Sequence, residues 1–291
     1  MAPLILSILC SSIIFVLFKL FPRFGVDTFQ AIVFNYFTAF LCGILFFGKE
    51  WNPHALESGN WPIFVLLAAA LFISLFILMG LSSQKNGVAM TSIAVKMSMA
   101  ISLILMIVLY NEDLGWMKVA GIALAFTGVF LVSYTGKSDN SAAKSEVWML
   151  ATLFIGSGIL DFILNYVQKH HLDHLTPSLF SAFGFGGAGL IGFAILMTQV
   201  LRKQASLSVK NVVAGVALGI PNYFSIYLLM ESYRSTGWND STVLAVINVS
   251  IVMISSVIGF IAFKENVTIK KIIGLVAAIA AIVVLYLASQ S

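Results

Sequence analysis

The sequence predicts an all-α integral membrane protein of ten transmembrane helices, arranged as two inverted five-helix repeats. Three observations predict it. Hydrophobic residues make up 60% of the 291 and charged residues only 10%, with a mean hydropathy of +1.01. A soluble domain carries about 25% charge, so lipid has to be the solvent for most of this chain. Apolar runs close to the roughly 20 residues that a bilayer core demands recur along its length. Finally, rare polar residues of the first half return in the second at one fixed spacing.

The ten expected spans are 3–21, 28–47, 61–83, 87–109, 116–134, 147–169, 179–201, 212–230, 241–263 and 269–288. The breaks carry turn chemistry: Pro22 and Arg23, then Trp51, Asn52 and Pro53, then Asn86 and Gly87, later Thr176 and Pro177. The stretch 136–146 is the one connection that reads as a flexible linker, and it lies near mid-chain. The N-terminus turns apolar at Pro3 with no basic region and no small-residue cleavage site, so the first run is expected to be a retained span. Cys10 and Cys42 both lie inside apolar runs and read as small hydrophobes rather than a disulfide or metal pair.

A shift of 153 residues places Asn86 on Asn239, Ile101 on Ile254, Ser102 on Ser255 and Glu112 on Glu265, then Lys118 on Lys271, Gly121 on Gly274 and Ala125 on Ala278. Apolar runs would match by chance; rare polar residues at helix ends in one gapless register would not. The halves are therefore 1–140 and 145–291, five spans each. An odd number of spans per half makes the second copy enter the membrane from the opposite face, an arrangement that places a carrier's site between the halves.

Each half closes on the same phrase, an apolar helix, a short acidic loop and a small-residue-rich helix. The first copy reads LYNEDLGWMKVAG over 109–121 and the second AFKENVTIKKIIG over 262–274. This resembles the EamA module of the drug/metabolite transporter superfamily, in both halves. A Gly-Glu pair usually marks that loop; here Asn111-Glu112 and Lys264-Glu265 keep the glutamate and lose the glycine. The resemblance implies a carrier whose central cavity is lined by the first, third and fourth helices of each half, with the last helix of each half at the periphery. It implies both termini in the cytoplasm, whereas the lysine and arginine tally of the loops places them outside.

Ionisable groups are costly in hydrocarbon, so those inside spans mark a cavity or a partner. Lys19 ends the first span and either snorkels to the headgroups or faces a cavity. Lys96 lies midway along the fourth span with Ser92 one turn away, too deep to snorkel; it reads as a functional cation, with an internal ion pair as the other reading. Ser157, Asp161, Asn165, Gln168 and Lys169 form one polar stripe on the sixth span. Asp161 is the carboxylate placed to bind a cation or proton, or else the counter-ion of Lys96 or Lys19. In the eighth span Pro221 removes a backbone donor and is expected to kink the helix beside Asn222 and Tyr223, while Glu231 and Arg234 read as an interfacial salt bridge. Ser241, Asn248 and Ser255 share a face of the ninth span, and Asn248 falls opposite Val95, beside Lys96, under the repeat. The glycines from Gly184 to Gly192 read as a packing seam. Glu112 and Glu265 are expected to cap or anchor the helix following each.

No Walker A loop, HExxH or GxSxG occurs, and His170 and His174 lack a third ligand of suitable spacing, so no cofactor and no metal are expected. The net charge of +4 comes without a basic run interleaved with aromatics, which argues against nucleic acid. The expected function is a secondary transporter, an exporter, of a small metabolite such as an amino acid or related compound in the cell membrane. Its partners would be that substrate, the lipid bilayer and a coupling proton or cation. The substrate-binding candidates are Lys19, Lys96, Asp161, Asn165, Asn222, Tyr223 and Asn248. Two other classes compete. A lipid-modifying membrane enzyme would need its catalytic groups clustered at one interface, and a non-transporting assembly subunit has no use for mid-depth charges.

Overall fold

A computed structural model describes residues 1–48, 61–110, 115–133, 141–170, 177–237, 240–265 and 267–290. Apart from one short 3-10 turn, its regular elements are α-helices: α1 (Ala2–Leu20), α2 (Thr28–Phe47), α3 (Trp61–Lys85), α4 (Val88–Met97), α5 (Met99–Tyr110), α6 (Trp116–Ser133), α7 (Ser141–His170), α8 (Pro177–Leu201), α9 (Val209–Ser235), α10 (Asp240–Ile261) and α11 (Ile269–Gln290). Eight stretches among the described residues are long and apolar enough to cross a bilayer, and the shorter apolar helices Trp116–Leu131 and Val246–Ile261 stand where the fifth and ninth spans are expected. With all backbone groups satisfied inside the segment, helix is the form an open chain can take in hydrocarbon.

Two boundaries differ from expectation for identifiable reasons. Residues 141–146, expected as part of the linker, belong to α7, because Ala142, Ala143, Lys144 and Glu146 are good helix formers whatever their polarity. Residues 136–140 lie outside the described set. The fourth span, expected as one rod, is divided at Ser98 into α4 and α5. Around Pro221, by contrast, α9 runs as helix from Val209 to Ser235.

The chain forms two compact units, Met1–Lys19 with Leu78–Phe162 and Leu228–Ser291, and Leu20–Ile77 with Ile163–Tyr227. Neither is a continuous stretch of chain; each draws on both sequence halves. In the first unit α6 and α11 pack along one another, and α4 packs on α10. The α6–α11 seam is built on small residues. A Cβ at Gly128 would lie 3.1 Å from the Gly274 carbonyl oxygen, and one at Gly121 2.6 Å from the Leu285 side chain. On the outer side of α11, Ile269, Ile272, Ile273, Val276, Val283 and Leu287 are all exposed at helical spacing, an apolar stripe made for acyl chains.

In the second unit α8 packs against α2. Its glycines meet aromatic and aliphatic side chains, Gly186 against Phe40, Gly184 against Phe72, Gly192 against Val33 and Ile73, so the glycine-rich run is a packing seam as expected. Gly215 and Gly219, four apart on α9, meet Phe34 and Thr38 of α2 in the same way. The α2 helix opens on a capped end: Asp27 accepts from the Gln30 N–H at 2.9 Å, after a turn closed by Gly25 at φ +57°. Cys10 and Cys42 are both free and half-buried.

Candidate functional site

The division at Ser98 organises the polar groups of the first unit. Ser98 is fully buried, and its hydroxyl donates to the Val95 carbonyl at 2.6 Å and to Asp161 Oδ2 at 3.3 Å, one proton divided between two acceptors. Back-bonding of this kind often bends a helix; here Ser98 interrupts it while keeping right-handed dihedrals (φ −54°, ψ −21°), and the Ile101 N–H tightens the turn by donating to the Ser98 carbonyl at 2.9 Å. Lys96 stands in the last turn of α4, half-buried. It is within electrostatic reach of Asp161, and among the described residues no carboxylate lies within 4.0 Å of its ammonium.

Asp161 reaches Ser98 because α7 comes unusually close to the bend. A Cβ at Gly158, one turn before Asp161, would lie 2.5 Å from Ile101 Cβ and 2.6 Å from the Ser98 carbonyl oxygen. Asp161 is nevertheless exposed. The direction of that exposure matters. Among the described side chains of α7 the other exposed ones, Trp148, Thr152, Ile155 and Ile159, form one stripe along the helix. At about 100° per residue, Asp161 lies about 180–240° around the axis from each of them. Its accessible surface is thus on the side opposite the apolar stripe.

Asn248 is buried on α10 and directs its amide nitrogen to the sulfur of Met99, 4.0 Å away, on the residue after the bend. Lys96, Asp161 and Asn248 are therefore gathered around one feature, the α4–α5 bend. Ser255, on the same helix, is fully buried, and the side chain of Ser241 is outside the described residues. Lys19 is engaged elsewhere in the unit, donating to the Gln84 carbonyl at 3.0 Å and standing 4.0 Å from Glu265. Glu265 differs from expectation. Its carboxylate caps α4, accepting from the Val88 N–H at 2.6 Å and the Ala89 N–H at 3.3 Å, rather than capping α11, the helix that follows it. Glu112 lies outside the described residues.

Asn222 and Tyr223 belong to the second unit. Asn222 donates to the Asn35 side-chain oxygen at 3.2 Å, a buried amide pair joining α9 to α2. Tyr223 is buried and stacks on Tyr227, with Phe46 and Phe224 completing an aromatic cluster. The side chains of Asn165, Gln168, Lys169, His170 and Arg234, and residues His171 to His174, are outside the described set. Among the described residues no three His, Cys, Asp or Glu groups come together as metal ligands would.

Ser98, Gly158 and Asn35 were not singled out from the sequence. Ser98 could have been, since it follows two residues after a mid-span lysine; Asn35 is a lone amide in an apolar run.

A model of the EamA-like transporter family matches residues 2–134 and again residues 146–287. The chain is 28% identical over 289 residues to an uncharacterized protein of Haemophilus influenzae, covering 97% of each. A protein of known crystal structure has a similar fold, with a TM-score of 0.58 at 12% identity, over 98% of this chain and 99% of the other.

Proposed function

The chain belongs to the EamA-like transporter family, and from that premise we propose that it is a secondary carrier exporting a small polar metabolite, an amino acid or related compound, across the cell membrane. In this reading ten spans form two inverted five-helix halves, 1–140 and 145–291, that alternate access to a central site. The site is centred on the α4–α5 bend. Lys96 attracts an anionic group of the substrate, Asp161 holds a cationic group or a coupling proton, and Asn248 offers an amide beside them. Asn165, Asn222 and Tyr223 are proposed as further lining, Tyr223 for an apolar portion. Lys19 completes the set by attracting anionic substrates toward the site.

One observation carries the proposal. Asp161 is a carboxylate inside the apolar span Val147–Leu164, with accessible surface on the helix side opposite the apolar stripe of α7. A charge inside hydrocarbon is costly, up to roughly 2.5–3.5 kcal/mol at the bilayer centre on insertion scales, which supports a hydrated space on that side of α7 rather than lipid.

Lys96 and Asp161 could also serve as mutual counter-ions and nothing more. Counterflow in proteoliposomes loaded with a panel of amino acids separates the two roles. Wild-type protein is expected to exchange at least one labelled amino acid, and Lys96→Met and Asp161→Asn each to lose exchange. The double variant K96M/D161N removes both charges and should fold as well as wild type, yet remain inactive. Exchange restored in the double variant would reduce the pair to a structural role. Exchange insensitive to both a pH gradient and D161N would remove the coupling proton from the scheme.

A further inference from the structure

Among the described residues Lys19 and Glu265 form an ion pair whose members also hold backbone groups of other helices. Glu265 is the better buried, with 8% of its side chain exposed against 21% for Lys19. Its carboxylate takes the first two N–H groups of α4, and its own N–H donates to the Gly259 carbonyl at 3.1 Å. Two glycines clear the space. A Cβ at Gly87, where φ is +98°, would lie 2.5 Å from the carboxylate, and one at Gly259 2.7 Å from it. Lys19 and Gln84 tie the end of α1 to the end of α3, the lysine donating to the Gln84 carbonyl and the Gln84 amide to the Phe18 carbonyl at 3.2 Å. Lys264, immediately before Glu265, adopts φ +51°, the left-handed conformation in which helices commonly end, and so turns the chain at the end of α10.

The cluster joins α1, α3 and α4 of the first sequence half to the α10–α11 turn of the second, at helix ends rather than mid-span. It also holds one end of a short rod. α4 runs ten residues from Val88, beside Glu265, to Met97. Lys96 sits eight residues from Val88, about 12 Å along the rod, and the Ser98 bend lies at its far end. We propose that Glu265 is a latch. It pins the N-terminus of α4, α4 swings about the Ser98 bend when the carboxylate lets go, and that swing opens the face of the protein on which Glu265 lies. This rests on the alternating-access reading given above, but its test needs no substrate.

Ser92 is fully buried on α4 between the latch and Lys96. In a C10S/C42S background, Ser92→Cys is a near-isosteric reporter, and Lys264→Cys, at an exposed position, marks the face of the latch. A membrane-impermeant maleimide is added to proteoliposomes from either side. In otherwise wild-type protein S92C should label slowly. Glu265→Ala should raise its rate from the Lys264 face alone by roughly tenfold or more, the population change expected for losing two hydrogen bonds to an ionised group. Lys19→Met should give a smaller rise on the same face, and Glu265→Gln, which keeps an acceptor, an intermediate one. Unchanged labelling in a folded E265A protein overturns the proposal. So does a rise from both faces alike accompanied by a lower unfolding temperature, which would make Glu265 a stability residue. If E265A does not fold, E265Q and K19M decide, and the absence of a rise in both overturns it. A counterflow experiment that finds no exchanged substrate would count against the transport reading and leave a one-sided labelling change standing.

Discussion

Substituting Gly158 with alanine tests whether the approach of α7 to the α4–α5 bend is what holds Asp161 in place. The added Cβ would sit 2.5 Å from Ile101 Cβ and 2.6 Å from the Ser98 carbonyl, where ordinary contact begins at 3.4 Å. Both obstacles are at or on the backbone, so neither can rotate away, and α7 has to retreat by about 0.9 Å, the shortfall against Ile101. A retreat of that size carries the Ser98–Asp161 hydrogen bond from 3.3 Å to about 4 Å, beyond bonding distance. Overpacking of this kind costs about 1–3 kcal/mol. The lost bond adds little, because the Asp161 carboxylate is accessible and already shares its donor with Val95. The expected result is a lower unfolding midpoint in detergent together with a loss of amino-acid exchange in proteoliposomes. Gly115→Ala is the control, since a Cβ there meets nothing within 4 Å. A G158A protein that melts with wild type and exchanges at its rate would refute the reasoning, for it would mean that the bend and α7 are not in the register described.

Three further predictions concern the second unit. Asn35→Leu or Asn222→Leu alone strands a buried amide and should cost about 1–3 kcal/mol, while the double variant should cost less than the sum, measured as a double-mutant cycle on unfolding midpoints. Gly219→Leu should drive α9 from α2, because even a Cβ there would lie 2.7 Å from the Asn35 carbonyl; loss of a monodisperse folded peak on size exclusion is the readout, and Gly189→Ala, whose Cβ meets Phe37 at 3.4 Å, should be tolerated. Tyr36→Phe removes the hydroxyl that donates to the Phe72 carbonyl at 2.6 Å and should lower stability by about 0.5–1.5 kcal/mol, read from the unfolding midpoint.

The helices were legible in the sequence because bilayer thickness acts on hydropathy directly: a soluble fold rarely makes apolar runs near 20 residues long, and each expected span finds helix at its place in the chain. Charge inside an apolar run is legible for the same reason, and it marks Lys96 and Asp161 without any knowledge of their neighbours. What hydropathy cannot register is where a polar side chain turns. Ser98 divides the fourth span by bonding its own helix at Val95, and a serine in an apolar run looks the same whether it does this or bonds a neighbour. Glu265 shows the limit of the repeat. The shift of 153 residues marks it as a position with a job, but the helix it caps is 176 residues away in the chain, and sequence proximity pointed to α11 instead.

The two ends of α4 bear on each other through the helix between them. A ten-residue helix spans about 15 Å, half the thickness of a hydrocarbon core. Each end carries a charge, Glu265 at the N-terminus, where the dipole favours an anion, and Lys96 in the last turn. An anionic ligand that engages Lys96 holds the end of α4 remote from Glu265, and it favours whichever arrangement of α4 gives it the better contact. Binding and release are linked thermodynamically, so the coupling has to run both ways. If releasing Glu265 shifts α4 toward an open face, then ligand held at Lys96 must shift the Glu265 equilibrium by the same factor. On this argument, adding an exchanged amino acid should change the labelling rate of S92C in wild-type protein and leave it unchanged in the K96M variant. A ligand effect that persisted in K96M would break the link between the site and the latch, whatever each does alone.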